Sequence, residues 1–332
     1  RLDAGADRQC DFREKKLMEK LKVLLIGAGG VGIYFCGRLA QGGEAEVNVV
    51  ARSEYEVAVK NGYQVQSVAG DFSFHPDRVL RSAEECPGEV DYIILATKVL
   101  PEVDPVALLR PALERSPNGV IVLIQNGVEI EEPIRAAFPD RELISTIAYV
   151  GVSRPTPGRV HHFGSGTLRM GVYPSGISAA ARRLAATFEK GGIVRCELCE
   201  DIRQVRWCKL LWNLAFNPVS VLAGGVDTRQ MVEDPELENL CRNLMEEVIM
   251  TARSCGVSLK EEDAVNTMEY TRRFPAYRTS MLQDFEAGRP LEVEAILGNP
   301  VRLARQHRVE IPRMESCYAL LRALNSHRNG LS

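Results

Sequence analysis

The sequence predicts an α/β domain followed by an all-helical domain, and three observations support this fold class. Apolar runs typical of buried strands alternate with helical segments as far as residue 199. From Asp201 onward, the apolar spacing is that of consecutive helices. At 332 residues, the chain is also longer than one ordinary hydrophobic core needs. We therefore expect a disordered tail over residues 1–20, an α/β domain over 21–199 and a helical domain over 200–328.

The first strand leads into a glycine motif. The apolar run Lys22 to Ile26 is followed at once by a turn and then by a helical pattern. The residues of the turn are Gly27, Ala28, Gly29, Gly30, Val31 and Gly32. In this motif Gly27 permits the turn, Gly29 lets the backbone approach a pyrophosphate, and Gly32 allows the helix to pack closely on the strand. A second strand, Glu46 to Ala51, completes a βαβ unit, so the segment predicts a Rossmann-type dinucleotide site.

The end of the second strand indicates which dinucleotide binds. An acidic residue there would bind the ribose 2′-hydroxyl of NAD, whereas an arginine suits the 2′-phosphate of NADP. The strand ends in Arg52 and Ser53, and the first carboxylate is that of Glu54. This pattern favours NADPH. The alternative is that Arg52 is a solvated loop charge.

The remaining strands indicate where a ligand binds. Two apolar runs, Asp91 to Thr97 and Gly119 to Gln125, predict buried strands that end at Lys98 and Asn126. In an open parallel sheet, ligands bind beyond the carboxyl ends of the strands. The further predicted strands are 142–151, 159–164, 167–173 and 193–197, and the predicted helices are 104–113, 178–190, 202–223, 235–256, 260–272, 292–308 and 312–325.

One predicted helix carries polar residues at a fixed interval. Lys209, Asn213 and Asn217 interrupt an otherwise apolar segment, and positions four apart lie on nearly one face of a helix. A buried ammonium or amide is costly unless a polar partner faces it, so this column indicates a polar site. The alternative is a set of satisfied core amides, with the lysine reaching solvent.

Charge and composition exclude several classes of protein. The net charge of -3 and the pI of about 6.1 give no long-range attraction for nucleic acid or an anionic membrane, and neither partner is expected. Nine scattered cysteines indicate a reducing cytoplasm rather than a disulfide framework. No metal site is proposed, because the adjacent histidines His161 and His162 would point to opposite faces of a strand. The sequence leaves the oligomeric state open, including a homodimer.

Motifs on both predicted domains follow one another in the order found in ketopantoate reductases, which the chain resembles over roughly residues 21–325. The motifs are the glycine turn, Arg52, Thr97-Lys98, Gln125-Asn126-Gly127, the helix with Lys209, Asn213, Asn217 and Pro218, the segment Ser280 to Asp284, and the segment Leu291 to Glu294. The resemblance implies NADPH-dependent reduction of the 2-keto acid 2-dehydropantoate (ketopantoate) to (R)-pantoate, in a cleft between the two domains.

The resemblance also implies a role for individual residues. Lys209 corresponds to the general acid, a role that suits an ammonium facing a developing alkoxide. Substrate contacts are implied for Asn213, Asn217 and Ser280 and cofactor contacts for Lys98, Asn126 and Glu292, with Asn126 near the substrate as well.

Two positions depart from the family pattern. Asp227 stands where many members have an asparagine, and its carboxylate would repel an anionic substrate unless it turns away or pairs with Arg278 or Arg229. Pro300 lies inside a predicted helix and should kink it near Glu292. The alternatives to ketopantoate reduction are therefore a related reductase for another branched or aromatic 2-keto acid, and a non-catalytic NADP(H)-binding sensor.

Overall fold

The computed structural model describes residues 20–328. The tail predicted over residues 1–20 therefore lies almost wholly outside the described residues. The predicted fold class is confirmed: strands interspersed with helices extend as far as Leu198, and helices alone follow from Ile202 in the described residues.

In the described part of the chain, ten strands form one mixed sheet. Its order is β4-β3-β9-β8-β7-β6-β1-β2-β5, and β10 pairs with β9 outside this path. Five neighbouring pairs, from β5 through β2, β1, β6 and β7 to β8, are parallel, so the carboxyl ends of these strands lie along one edge. The strands are β1 (Leu21–Ile26), β2 (Ala45–Val50), β3 (Tyr63–Ser67), β4 (Phe72–Phe74), β5 (Arg78–Leu80), β6 (Tyr92–Leu95), β7 (Val120–Ile124), β8 (Leu143–Thr156), β9 (Arg159–Val172) and β10 (Arg195–Leu198).

Helices cover the sheet and then form the second half of the chain. Those connecting strands are α1 (Gly30–Gln41), α2 (Tyr55–Asn61), α3 (Pro105–Arg115), α4 (Glu132–Ala137) and α5 (Ala179–Glu189), with a short 3-10 turn over Ala83–Glu85. Those that follow the sheet are α6 (Ile202–Leu222), α7 (Thr228–Glu233), α8 (Pro235–Ser254), α9 (Glu261–Arg273), α10 (Ser280–Glu286), α11 (Asn299–His307) and α12 (Pro312–Arg328).

Helix α6 is the centre of the helical region. It begins at an Asp201 cap whose carboxylate accepts from the Gln204 amide, and its apolar residues are buried against α8 and the later helices. Trp207 is among the largest fully buried side chains of the described residues. Because the apolar side chains of α6 are closely packed in the core, the position of the helix is well defined. The polar side chains that α6 carries are therefore held in defined positions as well.

Several short elements were not predicted. Strands β3, β4 and β5 and helices α2, α4, α7 and α10 have seven residues or fewer, too few to establish a periodic pattern. The two strands predicted over 159–164 and 167–173 are one strand, β9, with a bulge opposite Tyr149 and Val150 of β8. The positive φ of 59° at Ser165 and 144° at Gly166 accompanies that bulge.

The effect of Pro300 is a change of helical pitch. Residues Glu294–Gly298 form a π-helical turn directly before α11, in which Pro300 lies in the first turn. Proline has no amide hydrogen to donate to the preceding turn, and a π-turn is one way in which a helix accommodates that loss. The structure thus has an irregular helical turn just after Glu292, close to the place where the kink is predicted.

Two properties of the described chain bear on its environment. None of the helices in residues 20–328 combines the length and apolar character that a membrane-spanning helix needs. The eight cysteines in the same range are free thiols, and Cys196 and Cys199 do not form a disulfide.

His161 is exposed and His162 is buried, as their alternation on a strand predicts.

Candidate active site

A cavity of about 1540 Å³ runs along the carboxyl edge of the parallel strands and reaches the helical region. Most of the predicted site residues line it. They are Gly27, Ala28, Gly29, Gly30, Val31, Arg52, Lys98, Asn126, Lys209, Asn213, Ser280 and Glu292. Gly32, Asn217 and Asp227 are not among the lining residues. The structure therefore brings together side chains that are distant in the sequence, from both halves of the chain.

The glycine turn has the geometry that its sequence predicts. Gly27 has a φ of 117°, and a Cβ at this position would lie 2.7 Å from the backbone of Ala96. A Cβ at Gly32 would lie 2.4 Å from the Gly27 carbonyl oxygen, so only glycine lets α1 approach β1 this closely. At Gly29, by contrast, a Cβ would meet no atom within 4 Å. The turn thus leaves an open cradle at the N-terminus of α1, which suits a pyrophosphate.

Arg52 lies at the end of β2, where the strand register gives it a neighbour that sequence reasoning missed. Val50 pairs with Leu80 of β5, and the Ala51 amide donates to the Leu80 carbonyl at 2.9 Å. Arg52, the second residue after β2, and Arg81, the first residue after β5, therefore both line the cavity at this rim. Arg81 could not be recognised from the sequence because β5 is only three residues long.

The first carboxylate after Arg52 in the sequence, that of Glu54, is already paired. Glu54 is 3% exposed, and its side chain forms an ion pair with Arg154 at 2.5 Å. Arg154 also lines the cavity. This pairing occupies the Glu54 carboxylate, and Glu56 pairs with Arg81 at 2.7 Å, so neither carboxylate is directed to Arg52, whose guanidinium suits a phosphate better than a ribose hydroxyl.

Lys209 lies at the opposite end of the cavity, on α6. Its Nζ donates hydrogen bonds to Asn126 Oδ1 at 2.9 Å and to the Ala148 carbonyl at 2.7 Å. The ammonium also lies 5.5 Å from the centre of the Tyr149 ring. Two oxygens and an aromatic face thus orient one amino group at the cavity wall, next to the carboxyl end of β7 and the middle of β8.

The surroundings of Lys209 change its acidity. Burial disfavours the charged form, and the positive charge of Arg206 adds to this effect, so the pKa of Lys209 falls to about 8. Glu292 opposes the shift with its negative charge. An ammonium with a pKa near neutrality can release its proton, which an ordinary surface lysine does poorly. Lys209 is therefore suited to act as a general acid.

Glu292 joins the sheet to the helical region at this point. Its carboxylate accepts from the Val99 amide at 2.9 Å and from Asn126 Nδ2 at 3.4 Å. Burial raises the pKa of Glu292, although the Val99 hydrogen bond and the charge of Lys98 partly oppose this. Lys98 itself forms an ion pair with Asp284 at 2.7 Å and donates to the Pro290 carbonyl at 3.0 Å. These contacts bridge the segment before the π-turn to the ends of β6 and β7.

The amide column on α6 is only partly at the cavity. Asn213 lines the cavity and is 6% exposed. Asn217 is one turn further along α6, where the helix passes into the helical core, and it is fully buried. Neither atom of its side-chain amide has a hydrogen-bond partner in the described residues. Asn217 therefore does not line the cavity, although the column has the predicted register, and its substrate contact stays a prediction.

Asp227 turns away from the cavity, which is one of the arrangements that the sequence left open. Its carboxylate accepts a hydrogen bond from the backbone N–H of Gln230 at 2.9 Å. The side-chain oxygen of Gln230 accepts from the backbone N–H of Asp227 at 2.9 Å, and the two bonds form a capping box at the start of α7. Arg278 pairs with Glu286 and Arg229 with Glu233, so neither arginine is the partner of Asp227. Asp227 is held outside the cavity by its role as a helix cap, and the sequence contained this signal in the pattern Asp227-Thr228-Arg229-Gln230.

Aromatic side chains cover the helical end of the cavity. Trp212 and Tyr277 lie 6.0 Å apart between ring centres, and Tyr277 lies 6.1 Å from Phe163 and 6.3 Å from Phe274. All four line the cavity. Trp212 also lies three residues after Lys209, on the same side of α6. Sequence reasoning did not find this aromatic wall, because its members come from three separate elements.

Known proteins resemble the chain over nearly its whole length. The profile "Ketopantoate reductase PanE/ApbA" matches residues 23–175, and "Ketopantoate reductase PanE/ApbA C terminal" matches residues 201–325. A 2-dehydropantoate 2-reductase of Nostoc sp. is 30% identical, over 93% of this chain and 96% of its own length.

Two solved structures are similar as well. That of 2-dehydropantoate 2-reductase from Methylococcus capsulatus is 43% identical with a TM-score of 0.86, covering 93% of this chain and 98% of the other. That of a dimeric ketopantoate reductase from Staphylococcus aureus is 25% identical with a TM-score of 0.73, covering 93% of this chain and 100% of the other.

Proposed function

The chain belongs to the ketopantoate reductase family and is an oxidoreductase acting on a CH–OH group, and we propose that it reduces ketopantoate to (R)-pantoate with NADPH. The observation that carries this proposal is the position of Lys209. Its ammonium, with a pKa of about 8, is hydrogen-bonded to Asn126 and the Ala148 carbonyl at the wall of a cavity that also contains a dinucleotide-type glycine turn.

The cofactor assignment rests on two features of the cavity wall, the glycine turn and Arg52. The open cradle at Gly29 and the N-terminus of α1 fit a pyrophosphate. Arg52 at the cavity wall would hold the 2′-phosphate of the cofactor, since Glu54 pairs with Arg154 and Glu56 with Arg81. The residues present therefore fit NADPH, which supplies the hydride when bound.

The chemical role of Lys209 follows from the charge that the reaction creates. Hydride transfer to the keto carbon leaves the carbonyl oxygen as an alkoxide, and an ammonium at that oxygen stabilises the charge and then donates a proton. Asn126 and the Ala148 carbonyl keep Nζ at the cavity wall before the reaction, so little reorganisation is needed. The low pKa of Lys209 makes this proton transfer favourable near neutral pH.

Three polar side chains complete the proposed substrate site. Asn126 connects Lys209 to Glu292, and Asn213 follows Lys209 by one turn of α6. Ser280 is exposed at the first position of α10 and reaches the same cavity. Amide and hydroxyl donors at these places suit the carboxylate and hydroxyl groups of a small 2-keto acid.

The aromatic wall favours a second candidate substrate class. The rings of Phe163, Trp212, Phe274 and Tyr277 offer an apolar surface that suits a 2-keto acid with an aromatic side chain. The chemistry at Lys209 is the same for both classes. A non-catalytic NADP(H) sensor, the remaining alternative, would have no use for a lysine with a lowered pKa at the cavity wall.

The oligomeric state belongs to the proposal as well. The Staphylococcus aureus relative is described as dimeric. We expect a homodimer for this chain, and light scattering on the purified protein measures its mass directly.

A panel of 2-keto acids tests the proposed function. NADPH absorbance is followed with ketopantoate, another branched 2-keto acid and phenylglyoxylate, and the configuration of each product is determined by chiral chromatography. The proposal predicts efficient turnover of ketopantoate to the R product. Preference for phenylglyoxylate would select the aromatic alternative, and cofactor binding without turnover of any 2-keto acid would select the sensor.

A further inference from the structure

Arg206 lies one helical turn before Lys209 on α6 and forms a buried ion pair with Glu131. Their exposed fractions are 4% and 0%. The Arg206 Nε contacts Glu131 Oε1, and it also donates to Ser145 Oγ at 2.8 Å. Ser145 Oγ in turn donates to Glu131 Oε1 at 2.7 Å. These three side chains connect α6 to the first residues of β8 and to the N-terminus of α4.

The same guanidinium fixes the loop that carries Asn126. Arg206 Nη1 donates to the Gln125 carbonyl at 2.9 Å and to the Gly127 carbonyl at 3.0 Å. These two carbonyls flank Asn126, whose side-chain oxygen accepts from Lys209 Nζ. Arg206 thus holds the backbone on both sides of Asn126, the residue that orients the amino group of Lys209.

We propose that the Arg206–Glu131 pair positions Lys209 for the reaction, by fixing Asn126 through its two neighbouring carbonyls. This inference rests on the proposed role of Lys209 as the general acid. Stability alone explains the pair poorly, because the cost of burying two charges often exceeds their mutual attraction. A planar fork that donates in several directions at once is specific to arginine, and lysine cannot reproduce it.

The pair also sets the charge next to Lys209. Arg206 precedes Lys209 by three residues on α6, so the two side chains are neighbours. The positive charge of Arg206 disfavours the protonated form of Lys209 and lowers its pKa. Glu131 contacts Arg206 and partly neutralises its charge. The other groups that face Lys209 are Glu292 before the π-turn, Tyr149 on β8 and, beyond that ring, Arg169 on β9.

Two opposite charge changes and one conservative change test the proposal. In Glu131→Gln the uncompensated Arg206 should lower the pKa of Lys209, and in Arg206→Gln the lost positive charge should raise it, each by about one unit. Arg206→Lys keeps the charge but loses the planar guanidinium. Its kcat should therefore fall about tenfold, while the pH at which kcat declines stays the same. The matched control is Arg203→Gln on the same helix, because Arg203 pairs with Glu129 and does not line the cavity.

The measurement is the pH dependence of kcat with saturating NADPH and keto acid, on variants whose folding is verified by circular dichroism. The proposal predicts that the alkaline fall of kcat moves to lower pH in Glu131→Gln and to higher pH in Arg206→Gln. If Arg206→Gln does not fold, Glu131→Gln and Arg206→Lys decide. Profiles that coincide with wild type, while Lys209→Ala is inactive, would overturn this inference alone. Full activity of Lys209→Ala would overturn the proposed function and the inference with it.

Discussion

The amino group of Lys209 donates a 2.9 Å hydrogen bond to the side-chain oxygen of Asn126, and this contact joins α6 to the end of β7. Asn126 Nδ2 in turn donates to Glu292 at 3.4 Å, and Glu292 accepts from the Val99 amide. One chain of hydrogen bonds therefore connects the proposed acid to both sides of the cavity. The geometry of Lys209 depends on the sheet as much as on its own helix.

The first prediction concerns the cofactor. Arg52→Ala should weaken NADPH binding at least tenfold and leave NADH nearly unaffected, because a charge-assisted hydrogen bond to a phosphate contributes about 1.5–3 kcal/mol. Michaelis constants for both cofactors check this. Arg78→Ala is the control, since Arg78 is an exposed residue of β5 that does not line the cavity. Equal losses for NADPH and NADH, or a wild type that prefers NADH, would refute the assignment.

The second prediction concerns pH. Lys209 must be protonated to act as an acid, and its folded-state pKa is lowered to about 8. We therefore expect kcat to be constant below pH 8 and to fall above it. The same shift has the opposite effect on stability: the buried charge costs stability below pH 8, and this cost is relieved as pH rises toward the unfolded-state pKa. Kinetics and thermal unfolding across pH 6–10 should thus show opposite trends above pH 8. A kcat that stays level to pH 10 would argue against Lys209 as the acid.

The third prediction concerns Asp227. Because its carboxylate caps α7, Asp227→Asn should leave the Michaelis constant for ketopantoate unchanged, and asparagine should preserve most of the cap. Asp227→Ala should lower the free energy of unfolding by about 1 kcal/mol. Steady-state kinetics and thermal unfolding of the two variants check this. A lower Michaelis constant in Asp227→Asn would indicate that the carboxylate does reach the substrate.

The fourth prediction concerns the aromatic wall. Tyr277 is the ring that contacts Trp212, Phe163 and Phe274, so Tyr277→Leu should remove the contact between them. If an aromatic 2-keto acid binds against these rings, its kcat/KM should fall about tenfold, in line with the loss of about 1.4 kcal/mol of aromatic contact. Turnover of ketopantoate by the same variant is the internal control. An equal loss for both substrates would assign the rings to folding rather than specificity.

The sequence predicted the parts of the site that depend on local pattern. The glycine turn, Arg52 after β2, the residues at the ends of β6 and β7, and the register of Lys209 and Asn213 all follow from spacing along one element. The fold class follows from the change of periodicity near residue 200. These features are local, and a single chain shows them without knowledge of its neighbours.

The parts that escaped prediction depend on contacts between distant elements. Arg81 reaches the same rim of the cavity as Arg52 because a three-residue strand pairs with β2. Arg206 gains its importance from carbonyls some eighty positions earlier in the chain, with separations of 81 and 79 residues. Asn217 has the correct register, but the packing of α6 carries it into the core. Tertiary packing decides these cases, and no local pattern records it.

The most direct test of the account is the turnover of Lys209→Ala with NADPH and ketopantoate, compared with wild type. The change should lower kcat by about two to four orders of magnitude, as expected for loss of a general acid, while NADPH affinity measured by fluorescence titration changes little. Thermal unfolding should show no loss of stability, because the substitution removes a buried charge. A variant that retains most of the wild-type kcat would contradict the central claim that Lys209 donates the proton.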